Sequence, residues 1–140
     1  MSTTMNFLPA RKPSMENISL LAVSSEEDDC QSLKAFLSRS RWTVLGAQSY
    51  LGASRLLKKA MPRLVLCDQN LSDGNWKDVY RELSRMAVPP TMVVASRRPD
   101  EHLWAEVLSV GCFDLLLRPF EATELSRVLD MAARYFAPAA

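Results

Sequence analysis

The chain has 140 residues, 48% hydrophobic and 24% charged, with a formal net charge of +1 at pH 7, which suits one domain built round one core. Basic residues are scattered, as in Lys58-Lys59 and Arg97-Arg98, and build no basic stripe, so no electrostatic footing exists for nucleic acid or an anionic membrane. Cys30, Cys67 and Cys112 are far apart and odd in number, which excludes a readable metal cluster or disulfide framework and points to thiols in a reducing compartment.

Residues 1–17 carry Pro9, Pro13 and several hydroxyl residues without periodicity, and read as a flexible N-terminal lead-in. They lack the apolar run of a signal peptide, and no later stretch reaches membrane-spanning length, so a cytoplasmic location is expected. From Ile18 the pattern alternates strands and helices. Ile18–Val23 is a short apolar run of strand length. Ser24-Ser25-Glu26-Glu27 predicts a helix start, with a hydroxyl cap and acids at the positive helix end. Cys30, Leu33, Phe36 and Leu37 give that helix its apolar stripe, and it is expected to end near Arg41. Trp42–Ala47 is the second strand. Ala53, Leu56, Leu57 and Ala60 mark the second helix, stopped by Pro62.

Leu64-Val65-Leu66-Cys67 is wholly apolar, as befits a central strand covered on both faces, and Asp68 follows at once. Ser72-Asp73-Gly74-Asn75 is a turn cluster, after which Trp76, Val79, Tyr80 and Leu83 define a third helix. Thr91–Ala95 is the fourth strand. Pro99-Asp100-Glu101 opens a fourth helix striped by Leu103, Val107 and Val110 and capped by Gly111. Asp114–Leu117 is the fifth strand, and Leu125, Val128, Leu129 and Ala132 place the last helix. Five strands alternating with five helices predict an α/β fold with a parallel sheet and helices on both faces. The domain is expected over residues 18–136, with residues 137–140 as a tail.

In such a sheet, ligands gather at the carboxyl ends of the strands. The residues there are Ser24, Ser25 and Glu26, then Asp68, Ser96 and Arg118. A carboxylate can attack a phosphoryl group, and a hydroxyl and a cation can bind the phosphate oxygens. Taken singly, each is equally a turn residue, a cap or a solvated charge.

Their setting carries a resemblance. The run Leu64–Leu71, "LVLCDQNL", followed by Asp73-Gly74, resembles the central motif of bacterial response-regulator receivers. Val93-Val94-Ala95-Ser96 resembles the receiver strand that ends in a hydroxyl. Gly111 to Phe120, "GCFDLLLRPF", resembles the receiver segment "GAxDYLxKPF", the most specific match. The resemblance covers roughly Ile18 to Phe136. It implies a flavodoxin-like, CheY-like sheet of order 2-1-3-4-5, with Asp68 as phosphoacceptor and Ser96 and Arg118 binding the product. It also implies a sensor histidine kinase or phosphotransfer protein as partner.

The chain departs from that pattern. Ser24 and Ser25 stand where receivers carry two acids that hold magnesium, so the metal set shrinks to Asp68, Asn70 and Glu26, a weak or absent site. Arg118 replaces a lysine and, as a planar permanently charged fork, is able to clamp Asp68 directly. Ser72 and Trp76 replace the usual proline and glycine, and Leu115 stands at the aromatic switch position. His102 reads as a surface residue. Trp104 and Leu108 form either an exposed interaction stripe or part of the core.

Two functions follow from the resemblance. One is a phosphorelay receiver, not itself an enzyme, with output through a downstream protein or a homodimer at the face of the fourth helix, fifth strand and last helix. The other is an atypical receiver that is never phosphorylated and acts as an interaction module. A small hydrolase with an aspartate nucleophile would want an acid at position 70, where Asn70 stands. No output segment is read after Phe136, so output is expected through another protein, or the chain is a piece of a longer one.

Overall fold

The computed structural model describes residues 18–135; the expected lead-in over residues 1–17, Phe136 and the tail over residues 137–140 lie outside them. The strands form where apolar β-branched and leucine runs are long enough to cross the core. They are β1 (Ile18–Val23), β2 (Trp42–Ala47), β3 (Leu64–Asp68), β6 (Thr91–Ser96) and β7 (Asp114–Leu117), with β4 (Asn70–Leu71) and β5 (Gly74–Asn75) forming a small antiparallel hairpin. The main sheet runs β2-β1-β3-β6-β7, all parallel. Setting the hairpin aside, that is the expected order 2-1-3-4-5.

Five helices make the crossovers: α1 (Glu27–Phe36), α2 (Tyr50–Ala60), α3 (Trp76–Ser84), α4 (Glu101–Val110) and α5 (Ala122–Tyr135). Helices α1 and α5 pack on one face, where Cys30, Leu33, Leu125, Val128 and Leu129 meet Leu20, Leu64 and Leu66. Helices α2, α3 and α4 pack on the other, where Leu57, Val79 and Val107 meet Leu21, Val65 and Cys67. Alternate residues of β3 therefore face opposite layers, as the strand period requires.

Some local expectations need correction. The cap of α1 is Glu26, which makes no side-chain capping bond; Ser24 is fully buried at the end of β1 and its Oγ accepts from the Glu26 N–H at 3.2 Å. Helix α1 also stops at Phe36 rather than near Arg41, with Leu37 as its C-cap. Phe36 and Val110 are 46% and 41% exposed, because each lies just outside its helix's buried arc. The turn cluster is more structured than its composition implied. Asn75 caps α3, accepting from the Lys77 and Asp78 N–H groups, and Asp73 accepts from the Tyr50 and Leu51 N–H groups at 2.6 and 3.0 Å. Those bonds from the first turn of α2 hold the Asp73 carboxyl below its usual range and tie α2 to the loop after β3. Gly111 caps α4 at φ 125°, a conformation that disfavours side chains.

Burial pushes the Cys112 thiol up to about 12, and burial also raises Cys67 and Cys30 above their ordinary range. All three thiols are free and buried. A thiol-reactive dye at neutral pH should therefore label the native chain slowly and all three cysteines once urea unfolds it. Rapid native labelling of any one would contradict this packing.

Candidate functional site

Asp68 is the last residue of β3, and its even-numbered register with Leu64 and Leu66 turns it toward the layer of α1 and α5. Arg118 directly follows β7 and precedes a cis peptide bond to Pro119. Its Nε donates to Asp68 Oδ1 at 2.7 Å, so the guanidinium clamps the carboxylate directly. Arg118 is only 7% exposed, and its guanidinium carbon lies 4.4 Å from the centre of the Phe120 ring, which supports the cation from behind.

Asp29, in the first turn of α1, completes the arrangement and was not singled out from the sequence. Its Oδ1 lies 3.7 Å from Arg118 NH1, an ion pair beyond hydrogen-bonding range. Arg97 NH2 reaches both of its oxygens at 3.3 and 3.2 Å, and Ser24 Oγ donates to Oδ2 at 3.3 Å. The chain of charges runs Asp68, Arg118, Asp29, Arg97. A usable signal did exist: Asp29 precedes Cys30 and lies four residues before Leu33, at the margin of the buried stripe. An acid there, in the first turn, overlooks the carboxyl ends of the strands.

Ser96 ends β6 and is buried. Its Oγ donates to Gln69 Oε1 at 2.8 Å and accepts from the Arg98 N–H at 3.0 Å. Gln69 is fixed in turn, its N–H on the Ala95 carbonyl and its own carbonyl on the Trp76 N–H. Ser25 Oγ accepts from the Ser72 N–H at 2.9 Å and closes the rim. Asp68, Asn70, Ser96, Arg118 and Glu26 all line one cavity of about 310 Å³, together with Gln69, Arg97 and Arg98. Asn70 and Glu26 are exposed at its edge. His102 and Trp104 are exposed on α4, and Leu108 is half-buried.

The donor set does not fit magnesium. Magnesium takes oxygen ligands in near-octahedral geometry, commonly through one or two carboxylates. Here Ser24 and Ser25 supply hydroxyls already committed to backbone and side-chain partners. Asp68 presents Oδ1 to a guanidinium, whose fixed positive charge repels a second cation. Among the described residues no group of three or more His, Cys, Asp or Glu is placed to hold a metal. No helix is long and apolar enough to cross a membrane.

Residues 20–130 match the family model of the response regulator receiver domain. The transcriptional regulatory protein ZraR of Escherichia coli K12 is 23% identical over 117 residues, covering 84% of this chain and 26% of that protein. The transcriptional regulatory protein CitB of Klebsiella pneumoniae is 27% identical over 126 residues, covering 86% and 53%. The chain thus spans between about a quarter and a half of these relatives' lengths. Among solved structures, the signal receiver domain of a LuxO repressor protein from Vibrio parahaemolyticus superposes with a TM-score of 0.79 at 17% identity, covering 84% of this chain and 91% of that one. The non-phosphorylated HemR receiver domain of Leptospira biflexa gives 0.78 at 19% identity, covering 89% and 100%. The order of the sheet, the aspartate at the end of β3 and the matched span agree: this chain belongs to the response regulator receiver domain family of two-component signalling.

Proposed function

We propose that this receiver takes part in phosphoryl signalling with Asp68 as the phosphoacceptor. The observation that carries the reading is the convergence of Asp68, Ser96 and Arg118 on one open cavity at the ends of β3, β6 and β7. Arg118 holds Oδ1 of Asp68, and among the described residues no hydrogen bond reaches Oδ2. That oxygen can attack the phosphorus of a phosphohistidine on a sensor kinase or phosphotransfer protein. The new bond is a carboxyl O–P bond. The P–N bond breaks, and its electron pair leaves with the imidazole nitrogen. Ser96 can turn its hydroxyl from Gln69 to a phosphate oxygen, and Arg118 can balance the added charge.

Output would pass to a downstream protein, or to a second copy of the chain, through α4, β7 and α5. There Trp104 and Leu117 are 52% and 51% exposed, beside a cavity of about 430 Å³ lined by Pro99, Leu115 and Glu124. In this reading the receiver domain spans residues 18–136. A second reading, an interaction module that never takes a phosphoryl group, is favoured by one observation: Asp68 already has its charge partner in Arg118.

Intact mass measured after incubation with phosphoramidate separates the two. The first reading expects one phosphoryl mass gain in the wild type and none in Asp68→Ala. No gain in the wild type sinks it and leaves the interaction module.

A further inference from the structure

Arg118 is fixed from three sides: Asp68 at 2.7 Å, Asp29 at 3.7 Å, and the Phe120 ring at 4.4 Å. The Asp68 and Asp29 side chains are themselves only 15% and 18% exposed. Two largely sequestered carboxylates therefore face one guanidinium, much as two carboxylates face a divalent ion in a metal site. The acid missing from the end of β1 is supplied instead from the first turn of α1, where Ser24 steadies it.

We propose that Arg118, aimed by the positioning residue Asp29, is the resident cation of this pocket and keeps divalent metal out of it. The charge that a metal would supply is built into the chain and cannot dissociate. Arginine suits the task because it stays protonated and its planar fork addresses two acceptors at once. Ser24 and Ser25 are then not defects of the pocket, since a second pair of acids would leave one guanidinium outnumbered. The proposal concerns the pocket's charge and does not require phosphoryl transfer, so its failure and the failure of the phosphoacceptor reading are separate results.

The test is a manganese titration of the intact chain, followed by water-proton relaxation. Wild type is expected to bind no manganese in the millimolar range typical of weak sites, while Arg118→Met, with its two carboxylates uncompensated, acquires a site. Adding Asp29→Asn to Arg118→Met should weaken that site by about tenfold or more, since ligand charge count sets divalent affinity. Manganese binding by wild type as tight as by Arg118→Met overturns the proposal, and so does a folded Arg118→Met that gains nothing. Should Arg118→Met fail to fold, the Arg118 Nε–Hε resonance decides. It should be protected by its bond to Asp68 in wild type and in Asp29→Glu, less protected in Asp29→Asn, and unmoved by magnesium. Indifference to Asp29→Asn, or a shift on adding magnesium, refutes it.

Discussion

Replacing Arg118 with methionine should lower the unfolding free energy by about 3 kcal/mol, among the largest single effects available at the rim. Breaking a buried ion pair by removing one partner costs about 3–5 kcal/mol, because the other charge stays buried without compensation. Here the lower end applies, since the Asp68 and Asp29 side chains retain 15% and 18% exposure and Asp29 keeps Arg97 as a second partner. Urea denaturation measures the loss. Adding Asp68→Asn to Arg118→Met should recover a substantial part, as the double variant no longer buries that charge. Arg118→Lys, which restores the residue receivers usually carry, keeps the charge and should cost less. A loss under about 1 kcal/mol in Arg118→Met would mean that the pair contributes no more than a surface salt bridge.

An effect of similar size is expected from Leu66→Ala, by a different cause. Leu66 is fully buried in the middle of β3, in the layer shared with Leu129 and Val128 of α5. Shortening it removes apolar burial and opens a cavity that a sheet held on both sides cannot close. Such changes cost about 2–5 kcal/mol, and about 3 is expected here. The edge strand β7 supplies the control. Leu117→Ala, at a position 51% exposed, should change stability by less than about 0.5 kcal/mol. Comparable losses in the two variants would contradict the layer assignment. Leu66 also shares its strand face with Asp68, so the variant should broaden the Arg118 Nε–Hε resonance without touching a charge.

Composition and periodicity were sufficient for the architecture. An uninterrupted Leu-Val-Leu-Cys run suits a strand covered on both faces, and Trp42–Ala47 and Asp114–Leu117 begin and end where the pattern said they would. Strand ends are legible because a parallel sheet brings its carboxyl ends to one rim. Positions 68, 96 and 118 therefore meet whatever the helices do. Helix ends were less legible. The stop of α1 at Phe36 and the capping by Glu26 depend on which backbone groups found partners elsewhere, as the Glu26 N–H did on buried Ser24.

Asp29 marks the boundary between the two kinds of knowledge. In the sequence it is one of four consecutive acids from Glu26 to Asp29, and electrostatics near a helix start favours all four equally. Only the rotation of α1 on the sheet, set by burying Cys30 and Leu33, turns Asp29 to Arg118 while Glu26 stands exposed at the cavity edge and Glu27 and Asp28 stay in solvent. The sequence by itself determined the parallel sheet and the presence of Asp68 and Arg118 on one edge, because strand periodicity acts over neighbouring residues, and its motifs carried the resemblance to receivers. Tertiary packing alone decided that Arg118 is buried against Asp68 and Asp29, because those contacts join segments 50 and more residues apart, and their meeting depends on how the core fills.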